Sequence, residues 1–267
     1  MVKMKSAYFP LIVLLFGSLL TKAEEHSEQA FYSQAVDRLV VQHDAELPIA
    51  IGALVVKQAG LIIIREELEA YGVRKGFDAS WSNDAGKWKK AEKLLIKILD
   101  RIIDTKIKNP NWVHNALYQA ILNGITLEEV EAISAHFQTD VGSMQRQIID
   151  MSIIAETLQL AYTISRTIDI HLKGSEREYK NLQQVWWERK PEFGVNKKIY
   201  ADPAVREFAG QETGRKYGRL ISMQGIGGMM SYIRDIIVEV QIELSSSIKT
   251  IDGLGRGDNR IGLNRKS

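Results

Sequence analysis

Five histidines, His26, His43, His114, His136 and His171, are the first residues to question for chemistry. Zinc hydrolases hold their metal through His-Glu-x-x-His on one helix, and di-iron bundles use Glu-x-x-His; neither spacing occurs here. His43-Asp44-Ala45-Glu46 places three possible ligands in one short run. A structural zinc site needs four convergent ligands, so this run reads as a solvated helix end. The chain has no cysteine. That removes disulfides, thiolate metal sites, iron–sulfur clusters, thiol catalysis and a lipid on an N-terminal cysteine. The Gly-x-Ser-x-Gly elbow of serine hydrolases and the phosphate loop ending in Gly-Lys-Ser/Thr are both missing. Gly225-Ile226-Gly227-Gly228 is glycine-rich but lacks the preceding strand of a dinucleotide site. The expectation is a protein without metal or cofactor.

Carboxylates are plentiful, as in Glu66-Glu67 with Glu69 and Glu128-Glu129 with Glu131. Glycoside hydrolysis needs two carboxyl groups about 5–9.5 Å apart in a cleft. Surface helices produce acidic runs by default, so a carboxylate-based envelope hydrolase stands as the alternative to a non-catalytic protein. The binding signal is Trp186-Trp187-Glu188-Arg189-Lys190. Adjacent tryptophans point to different sides of a helix, so one of the pair is free to anchor a partner, and Trp and Arg dominate interface hot spots. Trp186, Trp187, Arg189 and Lys190 are therefore the candidate binding residues. The competing reading packs both rings under a loop over 188–203.

The elements that must position these residues are helical almost throughout. Lys3 and Lys5, the apolar run Leu11–Leu20 and the small residue Ala23 read as a secretory signal peptide over 1–23, cleaved after Ala23. The run is too short to span a bilayer. Losing Lys3, Lys5 and Lys22 turns the formal charge from +2 to −1, so the basicity belongs to the export segment. A single helical domain is expected over 24–250, with a possible sub-boundary near 188–203 and a flexible tail over 251–267. Arg256-Gly257-Asp258 in that tail matches an adhesion tripeptide by chance.

Helical periodicity begins at 28–45, with Phe31, Ala35, Val36, Leu39 and Val40 on one face. Residues 47–64 are apolar all round, as in a helix central to a bundle; Lys57 and Gln58 in mid-run oppose a membrane span. A break is expected over 71–86, then an amphipathic helix to Asn109-Pro110 and another from Pro110 to a left-handed turn at Asn123-Gly124. Thr126-Leu127-Glu128-Glu129 is a capping box, flanked by Ile125 and Val130 as a hydrophobic staple. Thr139-Asp140-Val141-Gly142 reads as a helix-to-helix turn into a long helix ending near Leu172, and Ser175-Glu176-Arg177-Glu178 as a second capping box. Asp202-Pro203 caps a later helix, on which Gly210, Gly214 and Gly218 would form a smooth ridge. Residues 229–249 fit a helix and also alternate like a strand; length favours the helix. The fold class is all-α, a multi-helix bundle of about seven to eight helices.

The stretch 125–151 resembles the uncharacterised exported bacterial family called domain of unknown function 2059. The matching residues are Glu128, Glu129, Ala132, Phe137, Thr139 and Gly142. The chain departs from the pattern with Asp140 where the family has proline, and with His136 before Phe137 where it has a second aromatic. The resemblance implies an exported all-helical protein and no assigned chemistry. Together these readings give an exported, periplasmic or extracellular protein that binds another protein in the cell envelope as an accessory, inhibitor or toxin-immunity factor. The near-balance of 35 basic and 33 acidic residues argues against nucleic acid as a partner. Membrane association through 47–64 is the less favoured reading, and no oligomeric state is assigned.

Overall fold

The computed structural model describes residues 28–77, 81, 85–150, 153 and 202–250. The protein is an all-α multi-helix bundle, with eight helical rods and no strand among the described residues. Helix α1 covers 28–40. Helix α2 is Glu46–Lys75, and α3 is Gly86–Ile102, continued by a wide π turn, Ile103–Ile107. Helices α4, Asn111–Leu122, and α5, Leu127–Phe137, follow, then α6 over 140–150. Helix α7 is Pro203–Gly210. Helix α8, Glu212–Leu220, runs through a second π turn, Ile221–Gly225, into α9, Ile226–Thr250, as one rod.

Helix α2 is central because it is apolar on every side. It packs against α9, α3 and the first π turn. Two glycines allow this: Leu99 presses on Gly60, and Trp112 lies 3.2 Å from where a Gly52 side chain would begin. By length and composition α2 is apolar enough to cross a membrane, but half of its apolar window is buried inside the bundle. Lys57 is exposed at its middle. One hydrophobic cluster takes residues from α1 through α6 and from α7 through α9, so the described parts on either side of 188–201 share a core.

Local capping follows the sequence closely. Thr126 accepts from the Glu129 N–H at 3.3 Å while Glu129 accepts from the Thr126 N–H at 2.8 Å, which closes the capping box of α5. Ile125 and Val130 are both buried. Thr139 accepts from the Gly142 N–H at 3.0 Å to start α6. Gly142 packs against the His136 carbonyl where no side chain fits. Asp202 caps α7 through the Ala204 N–H at 2.8 Å, with Pro203 in its first turn. Residues 229–249 lie wholly within α9, as length favoured.

Several expectations are corrected. Phe31 is 65% exposed, while Ala35, Val36, Leu39 and Val40 of the same helix are buried; a five-residue stripe was one residue too wide. The break assigned to 71–86 starts only at Gly76, whose φ of 64° ends α2 in a left-handed cap. Helix α2 extends that far because Tyr71, Phe77, Trp81 and Trp88 close an aromatic cluster over its end. The Trp81 ring occupies the space above Gly72, and its indole N–H donates to the Leu68 carbonyl at 2.8 Å. Asn123 is right-handed, at φ −89°, so no left-handed turn ends α4. Gly124 instead makes room for Leu220. The Gly210–Gly214–Gly218 ridge does not form. Gln211 is extended at φ −70° and ψ 152° and splits the segment into α7 and α8. Only Gly214 is pressed, by the Phe208 carbonyl, while Gly210 and Gly218 face open space.

The expected export segment over 1–23, most of the helix drawn to Leu172, the expected Ser175 capping box, His26, His171 and the tail over 251–267 lie outside the described residues. So do Trp186, Trp187, Arg189 and Lys190, with most of the loop at 188–203.

Candidate functional site

Helices α4 and α9 approach closely along a seam built from small residues. The π turn Ile221–Gly225 widens the rod by one residue and sets Gly225 against Leu117, whose Cδ2 would be 2.9 Å from an added side chain. One turn on, Gly228 faces Ala116, whose Cβ would be only 3.2 Å from an added side chain. Beside this seam lies an open groove of about 390 Å³, within the range that accommodates ligands. Its α4 wall carries Asn115, Gln119 and Asn123, four residues apart and so on one face. Its opposite wall carries Gln224, Gly228, Ser231 and Asp235 at steps of four, three and four. The same stripe continues as Val238 and Ile242, 51% and 63% exposed. The lining contains no lysine or arginine and a single carboxylate, Asp235.

Helix α4 is held at both ends by long-range contacts. At its start, the Trp112 indole N–H donates to the Ile107 carbonyl at 2.8 Å. The Trp112 ring stacks on Tyr232 at 5.4 Å and 5°. Tyr232 in turn donates to the Lys106 carbonyl at 3.0 Å. The first π turn supplies both acceptors. At the other end, Tyr32 of α1 points its hydroxyl at carbonyls freed by the helix terminus, Leu122 at 3.0 Å and Ile125. Replacing Tyr32 with phenylalanine should cost about 1 kcal/mol, a neutral hydrogen bond's net worth. Hydrogen exchange should quicken at the α4 C-terminus; unchanged exchange there would remove Tyr32 from this role.

The largest departure from the sequence reading is His43. It was assigned to a solvated helix end; it is 4% exposed. Its Nδ1 meets Asp150 of α6 and its Nε2 meets the Tyr217 hydroxyl of α8. Asp150 also accepts from the Asp44 N–H at 3.4 Å. Phe137 closes the network edge-on, 6.4 Å from His43 and 5.6 Å from Tyr217. Nearby, His136 stacks on Phe208 at 4.0 Å and bonds Gln145 at 2.8 Å. Arg146 donates to Gln42 at 3.3 Å. The order carboxylate, imidazole, hydroxyl is that of a nucleophile relay. Here the hydroxyl is fully buried. One proton assignment satisfies every partner: Nδ1–H donates to the Asp150 carboxylate and Tyr217 donates to Nε2. The network is a polar pin joining the α1–α2 turn, α6 and α8.

Titration of this region has a definite sign. Burial, reinforced by the Asp150 charge and opposed by Arg146, pushes the Tyr217 phenol well above its usual range. The folded state therefore favours neutral phenol, and that stabilisation is complete below the unfolded value of about 10 and falls as pH rises beyond it. Tyr32 and Tyr232, also raised mainly by burial, act in the same direction. Burial, then the neighbouring His43, lowers the His114 pKa against a hydrogen bond to the His43 backbone. Its stabilisation is complete above about pH 6.5 and declines as pH falls below it. Urea midpoints measured across pH should decline on both flanks, and Tyr217→Phe should flatten the alkaline one. An alkaline flank unchanged by Tyr217→Phe would contradict the assignment.

The acidic runs serve the surface. Glu129 closes the capping box and pairs with Lys216 at 2.8 Å. That pairing, the Thr126 contacts and the Lys216 charge lower its pKa against a small effect of burial. Glu69 pairs with Arg65 at 3.0 Å, and Glu67 accepts from Ser245 at 2.6 Å. Among the described residues no three His, Cys, Asp or Glu side chains gather as a metal site. Sequence reasoning missed the groove, although its signals were present: carboxamides at 115, 119 and 123, and glycines at 225 and 228. Comparison with protein-family models, curated proteins and solved structures finds no match to this chain.

Proposed function

We propose that this is an exported, non-catalytic helical protein that binds another protein in the cell envelope, and that the α4–α9 groove is a place of contact. The observation that carries the reading is the groove itself: an open trough with carboxamides along its α4 wall, whose α9 wall continues into the exposed pair Val238 and Ile242. A polar trough beside exposed apolar residues suits a protein surface, which supplies both hydrogen-bonding and apolar groups. The export segment over 1–23 supports the compartment, and accessory, inhibitor and toxin-immunity roles all fit it. Trp186, Trp187, Arg189 and Lys190 remain a second proposed contact.

The test compares the full chain with Gln119→Arg, which sets a bulky cation into the groove from an exposed position and leaves the core intact. Both are immobilised and exposed to envelope extract. A discrete protein retained by the parent and lost by Gln119→Arg is the expected result. Equal retention would remove the groove from the account, and retention of nothing by the parent would remove the account itself.

A further inference from the structure

We infer that the groove holds an extended segment of polypeptide and grips it by its backbone, through the carboxamides of α4. The inference rests on the protein-binding reading above and specifies what the groove recognises. Asn115, Gln119 and Asn123 line one wall at four-residue intervals. Four residues of helix advance about 6.0 Å. An extended chain turns the N–H and C=O of every second residue to the same side, at a repeat of roughly 6.6–6.8 Å. The two repeats agree within the reach of a flexible side chain. A carboxamide carries donor and acceptor together, so each rung can pair with one N–H and one C=O of the strand. From Asn115 to Asn123 the ladder covers roughly 12 Å, about four extended residues.

The rungs have capacity for this. Asn115, Gln119 and Gln224 on the facing wall are all exposed. Asn123 spends one N–H on the Gln119 carbonyl at 2.9 Å, which leaves its second N–H and its oxygen. The lining carries no net charge to select by: Asp235, its one carboxylate, is paired with the exposed Arg234 at 3.4 Å, and Arg234 also donates to Ser231 at 3.2 Å.

Two other ligand classes fit less well. A helix satisfies its own backbone groups and offers the carboxamides nothing, and it would require an apolar trough. A sugar would stack on an open aromatic face, but Trp112 is 5% exposed, and Tyr232, the other aromatic in the lining, is half-buried and stacked on Trp112.

The test selects peptides from a random displayed library on the full chain and measures synthetic copies by fluorescence anisotropy. N-methylation is then walked along the best peptide. Because each methyl group removes one backbone donor, every second position should weaken binding about tenfold, and the positions between should change little. Asn115→Ala and Gln119→Ala should each weaken binding, and Lys97→Ala on exposed α3 surface should not, with all three variants melting like the parent. Peptides that become helical when bound, or that tolerate N-methylation without alternation, would overturn the inference. So would failure to select any peptide. If Gln119→Arg still abolishes capture from envelope extract in that case, the groove binds a folded surface and only this inference falls; if it does not, both readings fall.

Discussion

Replacing His43 with alanine is expected to destabilise the protein by about 3–5 kcal/mol, the cost of leaving a buried carboxylate without its main partner. The magnitude follows from what is left behind. Asp150 is 5% exposed, and its remaining described contact is the Asp44 N–H at 3.4 Å. Tyr217, fully buried, loses its acceptor as well. The phenol then lacks its acceptor and the carboxylate keeps only a long bond, in a medium where each loss is costly. Denaturant unfolding measures the change directly. A loss under about 1 kcal/mol would mean that the network is not sealed from water, since an exposed pair is worth that little. A double change, His43→Leu with Asp150→Leu, should recover part of the loss, because an apolar pair replaces the buried carboxylate and its partner at little net cost. Failure of the double variant to exceed His43→Ala would show that shape, and not charge, limits the site.

The second large effect is expected at Trp112. Its replacement by alanine should cost about 3–5 kcal/mol, as for other buried aromatic residues. Trp112 makes three separate contacts. It fills the space where a Gly52 side chain would begin on α2, it donates to the Ile107 carbonyl, and it stacks on Tyr232 of α9. All three set where α4 sits, so the variant should lose groove binding even under conditions where it stays folded. Trp112→Phe keeps the stack and loses the indole N–H, and should fall between parent and alanine in both stability and binding. If Trp112→Ala unfolds like the parent, the placement of α4 does not depend on this residue.

What was legible in the sequence was local. The capping box at Thr126, the Thr139 turn and the Asp202-Pro203 start each join residues within three positions of one another. Their residue types declare the geometry directly. The apolar faces of α3, α4 and α9 were legible by period. His43 was not, because its partners lie 107 and 174 residues away, and the run His43-Asp44-Ala45-Glu46 looks the same in water or in a core. The two π turns left no signal either. A π turn relieves packing between helices, and the contacts it serves, Gly225 with Leu117 and Lys106 with Tyr232, are tertiary. The three carboxamides of α4 read as an ordinary polar face until α9 was set opposite them. The tryptophans at 186 and 187 drew attention by composition, whereas the groove draws its character from placement.

The central claim is that the α4–α9 groove is where this protein meets its partner. A photo-crosslinking residue introduced at Gln119 tests it most directly, with a second placed at Lys97 on α3; both positions are exposed. On irradiation in the native compartment, the protein labelled at position 119 should form a discrete adduct that is absent at position 97. Equal labelling from both positions, or an adduct from position 97 alone, would contradict the claim.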